Sequence, residues 1–291
     1  AAAVTSASAS IAIIIPPSLA FIIYGAIAQQ SVAKLFIAGI VPGLMLAGSL
    51  MVTSYIFAVR YGWPTEGPFR LRRVFRAFRR AIWGLTLPII ILGGILGGIF
   101  TPTEAAAVAV LAALIIGMLV NRRFGVRDLP EIFLTSAKRT SIVLFMIATS
   151  FAFGWMLAYE AIPQRIAASM LTWTDNRYIL MFIINILLIL LGMLLHGSAA
   201  LVLTVPLTLP LVTSLGYDPI HFGVILALNG AIGQQTPPVA SVLLTACSVS
   251  GCGIGEVMRY NWWFVLAMFI VLQIVTYVPA IALFLPNLLI V

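Results

Sequence analysis

The chain has 291 residues, 62% of them hydrophobic and 8% charged, with a mean hydropathy of +1.15 and a formal charge of +8. Soluble domains run nearer roughly 45–50% apolar and about 25% charged. A soluble enzyme, a secreted disulfide scaffold and a disordered chain are therefore excluded, and the chain reads as an integral membrane protein. One helical crossing takes about 20 residues, which leaves room for roughly eight to ten membrane segments. Continuous apolar runs, such as residues 178–195, make these segments helices rather than the alternating strands of a membrane β-barrel.

Apolar runs between breakers give a map in chain order. A first segment, 1–28, is interrupted by Pro16, Pro17 and Ser18. A second, 35–60, ends at a basic stretch holding Arg60, Arg70, Arg72, Arg73, Arg76, Arg79 and Arg80. Phe69, Val74, Phe75 and Phe78 alternate with these arginines, which suits a helix lying on anionic lipid; the charge is read as topology and lipid contact, with no nucleic-acid partner. Segments 81–99 and 103–121 are joined by FTPTE, in which Thr101, Pro102 and Glu104 form a capping box. Glu104 thereby has a structural role without any part in transport. A second basic loop, from Arg122 to Arg139, joins the first as cytoplasmic under the positive-inside rule.

A fifth segment covers 137–160. Next comes 177–214, with a polar tip at residues 196–200, read as a hairpin that enters and leaves on one side. A seventh, 218–249, is broken at Gln235, Thr236, Pro237 and Pro238, and a last runs over 256–285. Cys247 and Cys252 read as buried thiols, and His221 as interfacial. The chain divides into 1–60, a basic linker 61–80, and 81–291.

Residues 1–60 and 222–281 share a succession of features, and Pro16-Pro17 corresponds to Pro237-Pro238. Paired proline-interrupted segments point to the binding site of a secondary transporter. With 177–214 as a hairpin, the two broken segments run in opposite directions, as in an inverted repeat. Non-helical backbone at membrane depth must be buried in protein or line a wet cavity, and a double proline frees the carbonyls before it. The predicted site is therefore Gly197, Ser198, Ala199 and Ala200 at the tip, with Asn229, Gln235, Thr236 and Pro237 at the second break. Pro16, Pro17 and Ser18 form an incomplete counterpart. Such an oxygen-rich pocket suits Na⁺. No other metal site, cofactor motif, Walker A or catalytic elbow is present in the sequence, so the chain does not read as an enzyme. Two alternatives stand beside the transporter: a non-transporting membrane scaffold subunit, and an intramembrane protease using Ser198 and His196.

Four ordered stretches carry a family resemblance: IIPPSLAFIIYGAIAQQSVAKLFIAGIVPGLML, GGIFTPTEAAAVAVLAALIIG, LGMLLHGSAALVLTVPLTLPLV and GYDPIHFGVILALNGAIGQQTPPV. They resemble the large membrane subunit of tripartite ATP-independent periplasmic (TRAP) transporters. The resemblance implies an all-α, multi-pass permease of the bacterial inner membrane with inverted repeats, a re-entrant hairpin and broken helices. It implies uptake of organic anions, typically carboxylates, by Na⁺ symport and an elevator motion. The implied partners are a small four-helix membrane subunit and a periplasmic substrate-binding protein. It also implies that roughly the first third of the family's length, including a first hairpin, precedes residue 1. Two positions depart from the family pattern: His196 stands where an aspartate is usual, giving a candidate coupling residue, and Ala240 stands where glycine is usual.

Overall fold

The computed structural model describes residues 1–63, 67, 71–162, 165, 169, 176–195 and 197–289, and the regular structure among them is helical. In chain order the helices are α1 (Ala2–Ala9), running on into a 3-10 turn (Ser10–Ile13), α2 (Leu19–Ala28), α3 (Val32–Tyr61), α4 (Leu71–Leu96), α5 (Pro102–Ile115) and α6 (Leu129–Tyr159). They continue as α7 (Arg177–Leu194), α8 (Gly197–Ser214), α9 (Pro219–Gly233), α10 (Ser241–Ser250), α11 (Ile254–Tyr277) and α12 (Ala280–Leu289). Six helical stretches among the described residues are long and apolar enough to cross a membrane, or seven with a bent pair counted as one span. This is an all-α membrane protein.

The chain divides into two compact units, one of Ala1–Phe57 with Val143–Val291 and one of Ala58–Ile142. In the first, both double prolines stand where expected and interrupt helices. Neither proline of a pair can donate to the preceding turn. The helix before each pair therefore stops, at Ile13 and at Gly233, and a new one starts at Leu19 and at Ser241. Both Pro-Pro bonds are cis. The restarts differ: Ser18 caps α2 through its hydroxyl, which accepts from Phe21 N–H, whereas α10 starts after Ala240 without a side-chain cap.

The two broken helices run antiparallel. α1 packs on α10 and α11, while α2 packs on α8 and α9, so the first half of one faces the second half of the other. Hydrogen bonds at both ends of α9 fix this register: Tyr24 of α2 donates to the Pro219 carbonyl at its start, and Gln235 beyond its end donates to the Ser6 carbonyl and Ser10 Oγ. α9 sits at the centre, with every residue from Ile220 to Asn229 buried, and Tyr24 meets Phe222 edge-to-face at 6.4 Å. Between membrane helices lipid is as apolar as leucine, so close backbone approach and internal hydrogen bonds hold the packing. Gly192 of α7 and Gly233 of α9 provide such an approach: a Cβ on Gly233 would lie 2.5 Å from the Gly192 carbonyl carbon.

In the second unit α4 packs on α5 and bends by 63° between Leu71–Arg79 and Ala81–Leu96. The FTPTE prediction holds in detail. Thr101 accepts from the Glu104 amide, Pro102 opens the helix, and the Glu104 carboxylate accepts from Thr101 N–H at 2.8 Å.

Several boundaries differ from the sequence reading. α6 begins at Leu129, eight residues before 137, because its first turns are a polar, exposed continuation of the apolar run. The last segment is two helices, since Pro279 separates α11 from α12. Cys247 is buried as expected, but Cys252 is exposed because α10 has ended at Gly251, whose φ is +69°. His221 stands in the first turn of α9, after the Asp218 cap, and is buried in protein. It is 1% exposed, its Nε2 lies 2.8 Å from the Val275 carbonyl, and Tyr217 stacks on its ring.

Candidate functional site

The hairpin tip is carried to the second break by geometry written into α7. Asn176 caps its start and Leu195 ends it in an extended conformation, after which α8 begins at Gly197. Glycines at 192 and 233 let α7 and α9 touch, and Val239 N–H, within the second break, donates 3.1 Å to the Met193 carbonyl one turn before the tip. The tip and the break therefore share one depth. α9 reaches the break after 15 residues, roughly 22 Å of helix, which is shorter than the about 30 Å of hydrocarbon that a full span crosses.

A cavity of about 230 Å³ opens where three elements converge. Gly197 and Ser198 contribute from the tip, Ala12, Ile13, Leu19 and Ala20 from either side of the first break, and Gly230 and Gln234 from the end of α9. Apolar side chains of α2, α8 and α9 complete the wall, among them Ile23, Leu201 and Leu226. Its lining includes no charged side chain among the described residues. Polar character comes from the Ser198 hydroxyl, the Gln234 amide and backbone at the interrupted helices. The tip packs directly on Gln234: a Cβ at Gly197 would meet its Nε2 at 2.7 Å.

The remaining predicted residues lie around this cavity in different roles. Ala199 and Ala200 form the next positions of α8, with Ala200 buried. Pro16 is buried and Pro17 exposed, while the buried Ser18 hydroxyl donates to the Ile13 carbonyl across the break. Thr236 is buried and its hydroxyl donates 2.9 Å to the Ile232 carbonyl, leaving its oxygen lone pairs for another partner. Pro237 is half-buried. His196 lies outside the described residues.

Two residues turn away from the expected direction. The sequence reading points Asn229 into the cavity, but Leu226, Ala227, Gly230 and Gln234 occupy one arc of the helix and Asn229 falls outside it. Its amide instead donates 2.9 Å to Asn185 Oδ1 of α7, and Asn185 in turn donates 3.0 Å to Thr276 of α11. Asn229 Oδ1 is buried and has no hydrogen-bond partner. Gln235 likewise faces the first broken helix rather than the cavity. Its Nε2 donates to the Ser6 carbonyl and to Ser10 Oγ, and its Oε1 accepts from the Ser6 hydroxyl. Its backbone carbonyl accepts from Asn261 Nδ2 at 2.9 Å, so that freed carbonyl is taken up by protein.

Asn185, Asn261 and Thr276 were missed by sequence reasoning. The signal was present: isolated amides in apolar spans are expensive unless paired, and they mark internal faces. Asn261 Oδ1 and Ser241 Oγ, both next to the second break, are buried oxygens without a partner. No group of three or more metal-ligating His, Cys, Asp or Glu side chains occurs among the described residues. Ser198 lines the cavity beside Gly197, Leu201 and Gln234.

Two antiparallel broken helices beside a helical hairpin are the arrangement in which membrane transporters with inverted repeats build their sites. Residues 1–281 match the family model described as "Tripartite ATP-independent periplasmic transporter, DctM component", and the chain belongs to that family. Among its relatives, the C4-dicarboxylate TRAP transporter large permease protein DctM of Rhodobacter capsulatus is 37% identical, over 99% of this chain and 69% of that protein. The protein of the same name in Pseudomonas aeruginosa is 40% identical over 96% of this chain and 65% of its own length. The sialic acid TRAP transporter large permease protein SiaM of Vibrio cholerae is 38% identical over 99% of this chain and 67% of its own. The chain thus spans about two-thirds of the length of these relatives, all of them transporter permeases rather than enzymes.

Proposed function

We propose that this chain forms the part of a secondary transporter that binds and carries a small organic acid across the bacterial inner membrane. One observation carries the reading: the hairpin tip and both broken helices meet at a single cavity. Uptake would be driven by Na⁺ symport. Supporting this are the buried, unpartnered Asn229 Oδ1, Asn261 Oδ1 and Ser241 Oγ on elements adjoining the second break, together with the Thr236 hydroxyl. Hard cations take oxygen ligands of this kind. A substrate carboxylate would meet Ser198, the Gln234 amide and the dipoles of interrupted helices, since the described lining offers no cationic side chain. An elevator motion is the mechanical counterpart, in which the unit with tip and breaks moves as one body.

The partners proposed are a small membrane subunit and a periplasmic binding protein. One relative carries the name "Isethionate TRAP transporter permease protein DctMQ", and the chain spans 45% of it. Relatives named for dicarboxylate, sialic acid and ectoine differ in their cargo, so the acid is left at the level of its class.

The test is uptake of labelled organic acids into proteoliposomes holding the full-length protein, its small subunit and the binding protein. An inward Na⁺ gradient is compared with a proton gradient. Na⁺-driven accumulation that requires the binding protein is expected. Proton-driven uptake would overturn the coupling ion, and a His196→Asp variant with stronger Na⁺ dependence would assign the change to that position. Absence of flux with every acid tested would favour a scaffold role.

A further inference from the structure

The first nine residues of α4, Leu71–Arg79, are all exposed. At 100° per residue, Arg72, Arg73, Arg76 and Arg79 fall within an arc of about 120°, and Leu71, Val74, Phe75 and Phe78 within an opposite arc of about 100°. Leu71 is 73% exposed, Phe75 70% and Phe78 54%, an apolar row that no described part of the chain covers. No acidic residue occurs anywhere in Leu71–Leu96.

The bend decides what meets these two faces. Ala81–Leu96 is the apolar, membrane-crossing part of α4, and Leu71–Arg79 leaves it at 63°. With the crossing part near the bilayer normal, the exposed segment comes within about 30° of the membrane plane. Its apolar row is then level with the acyl boundary and its arginines with the headgroups. A guanidinium pairs two donors with phosphate oxygens, which suits it to this depth. We propose that Leu71–Arg79 is an interfacial helix that binds anionic phospholipid headgroups through Arg72, Arg73, Arg76 and Arg79, and so fixes the height of the second unit in the cytoplasmic leaflet. A patch built for an acidic protein would lack the apolar row continuous with a membrane span. The inference stands independently of the transported substrate and the coupling ion.

The experiment uses the full chain in nanodiscs of phosphatidylcholine, with or without phosphatidylglycerol as about a third of the lipid. Amide hydrogen exchange over residues 71–79 is the readout. Phosphatidylglycerol is expected to slow exchange at least tenfold, since each basic side chain near an anionic surface strengthens association by roughly fivefold. High salt should return it to the phosphatidylcholine value. Replacing the four arginines by glutamine (R72Q, R73Q, R76Q, R79Q) should remove the lipid dependence, and replacing them by lysine should keep most of it. Unchanged exchange in α9 certifies that each variant is folded. Equal exchange in the two bilayers, or a lipid dependence that survives in the glutamine variant, would overturn the proposal. So would slow exchange in neutral detergent without phospholipid, which would assign the cover to protein.

Discussion

Gln235 of the second break is hydrogen-bonded to Ser10, the residue that opens the 3-10 turn leading into the first break, at 2.8 Å. With the Ser6 carbonyl and hydroxyl as its other partners, the buried Gln235 amide ties together two helices whose interruptions define the cavity. Each break is therefore positioned by the other. Gln235→Ala would leave the Ser6 carbonyl and the Ser10 hydroxyl without their partner, and an abandoned buried polar group costs about 1–3 kcal/mol. A fall in thermal stability in detergent is expected, with uptake falling alongside it. In a double-mutant cycle, adding Ser10→Ala to Gln235→Ala should cost little more than Gln235→Ala alone, because the shared bond is already gone. Fully additive losses would contradict the clasp.

The Gly192–Gly233 contact makes a sharper stability prediction. Gly233→Ala would place a methyl 2.5 Å from the Gly192 backbone, which has no side chain to yield, so α7 and α9 must separate. Overpacking of this kind costs about 1–3 kcal/mol. Gly230 lies one turn earlier on the same helix, and a Cβ added there would meet nothing within 4 Å, so Gly230→Ala should be neutral or slightly stabilising. Thermal unfolding of the two variants side by side distinguishes close packing from a general need for flexibility in α9.

Glu104 is the carboxylate most easily mistaken for a coupling residue, because it stands in the first turn of an apolar helix. Its oxygen is bound to Thr101 N–H at 2.8 Å and to the Thr101 hydroxyl at 2.9 Å, which assigns it to the cap. Glu104→Ala should lower the unfolding temperature modestly, because Thr101 N–H loses its acceptor. Under the proposed Na⁺ symport, the Na⁺ concentration giving half-maximal uptake should not move. A shift in that concentration, without a loss of stability, would transfer Glu104 to the transport mechanism.

The breaks, the hairpin and the capping box were legible because each is written locally. Two adjacent prolines remove amide donors wherever they stand, and Thr101, Pro102 and Glu104 need only their own helix turn. The directions of Asn229 and Gln235 were not legible. Both lie on or beside a helix buried on nearly all sides, so period alone does not say which neighbour an amide meets. Their partners, Asn185 and Ser10, are far away in the chain. Ala240 is an intermediate case. Its departure from the family glycine is visible in the sequence, but its φ of +40° shows why glycine suits the position. The left-handed conformation costs alanine about 1–2 kcal/mol, against about 0.8 kcal/mol for a buried methyl. Burial of the methyl thus offsets part of the strain and leaves a net cost of at most about 1 kcal/mol.

The hairpin tip yields the prediction closest to function. Gly197 packs on the end of the Gln234 side chain, and both line the cavity. Gly197→Ala would push against Gln234 Nε2 at 2.7 Å, a flexible group that can swing aside, so the fold should survive with little loss of stability. The displaced amide would move within the cavity or prop the tip away from α9, and uptake should fall several-fold. Gln234→Ala removes the obstructing group, so the double variant should recover part of the activity lost in Gly197→Ala, less whatever Gln234 itself contributes to binding. Proteoliposome uptake with the single and double variants measures this directly. Recovery would place tip closure against Gln234 within the transport cycle, whereas a double variant as impaired as the product of its singles would show that the two residues act apart.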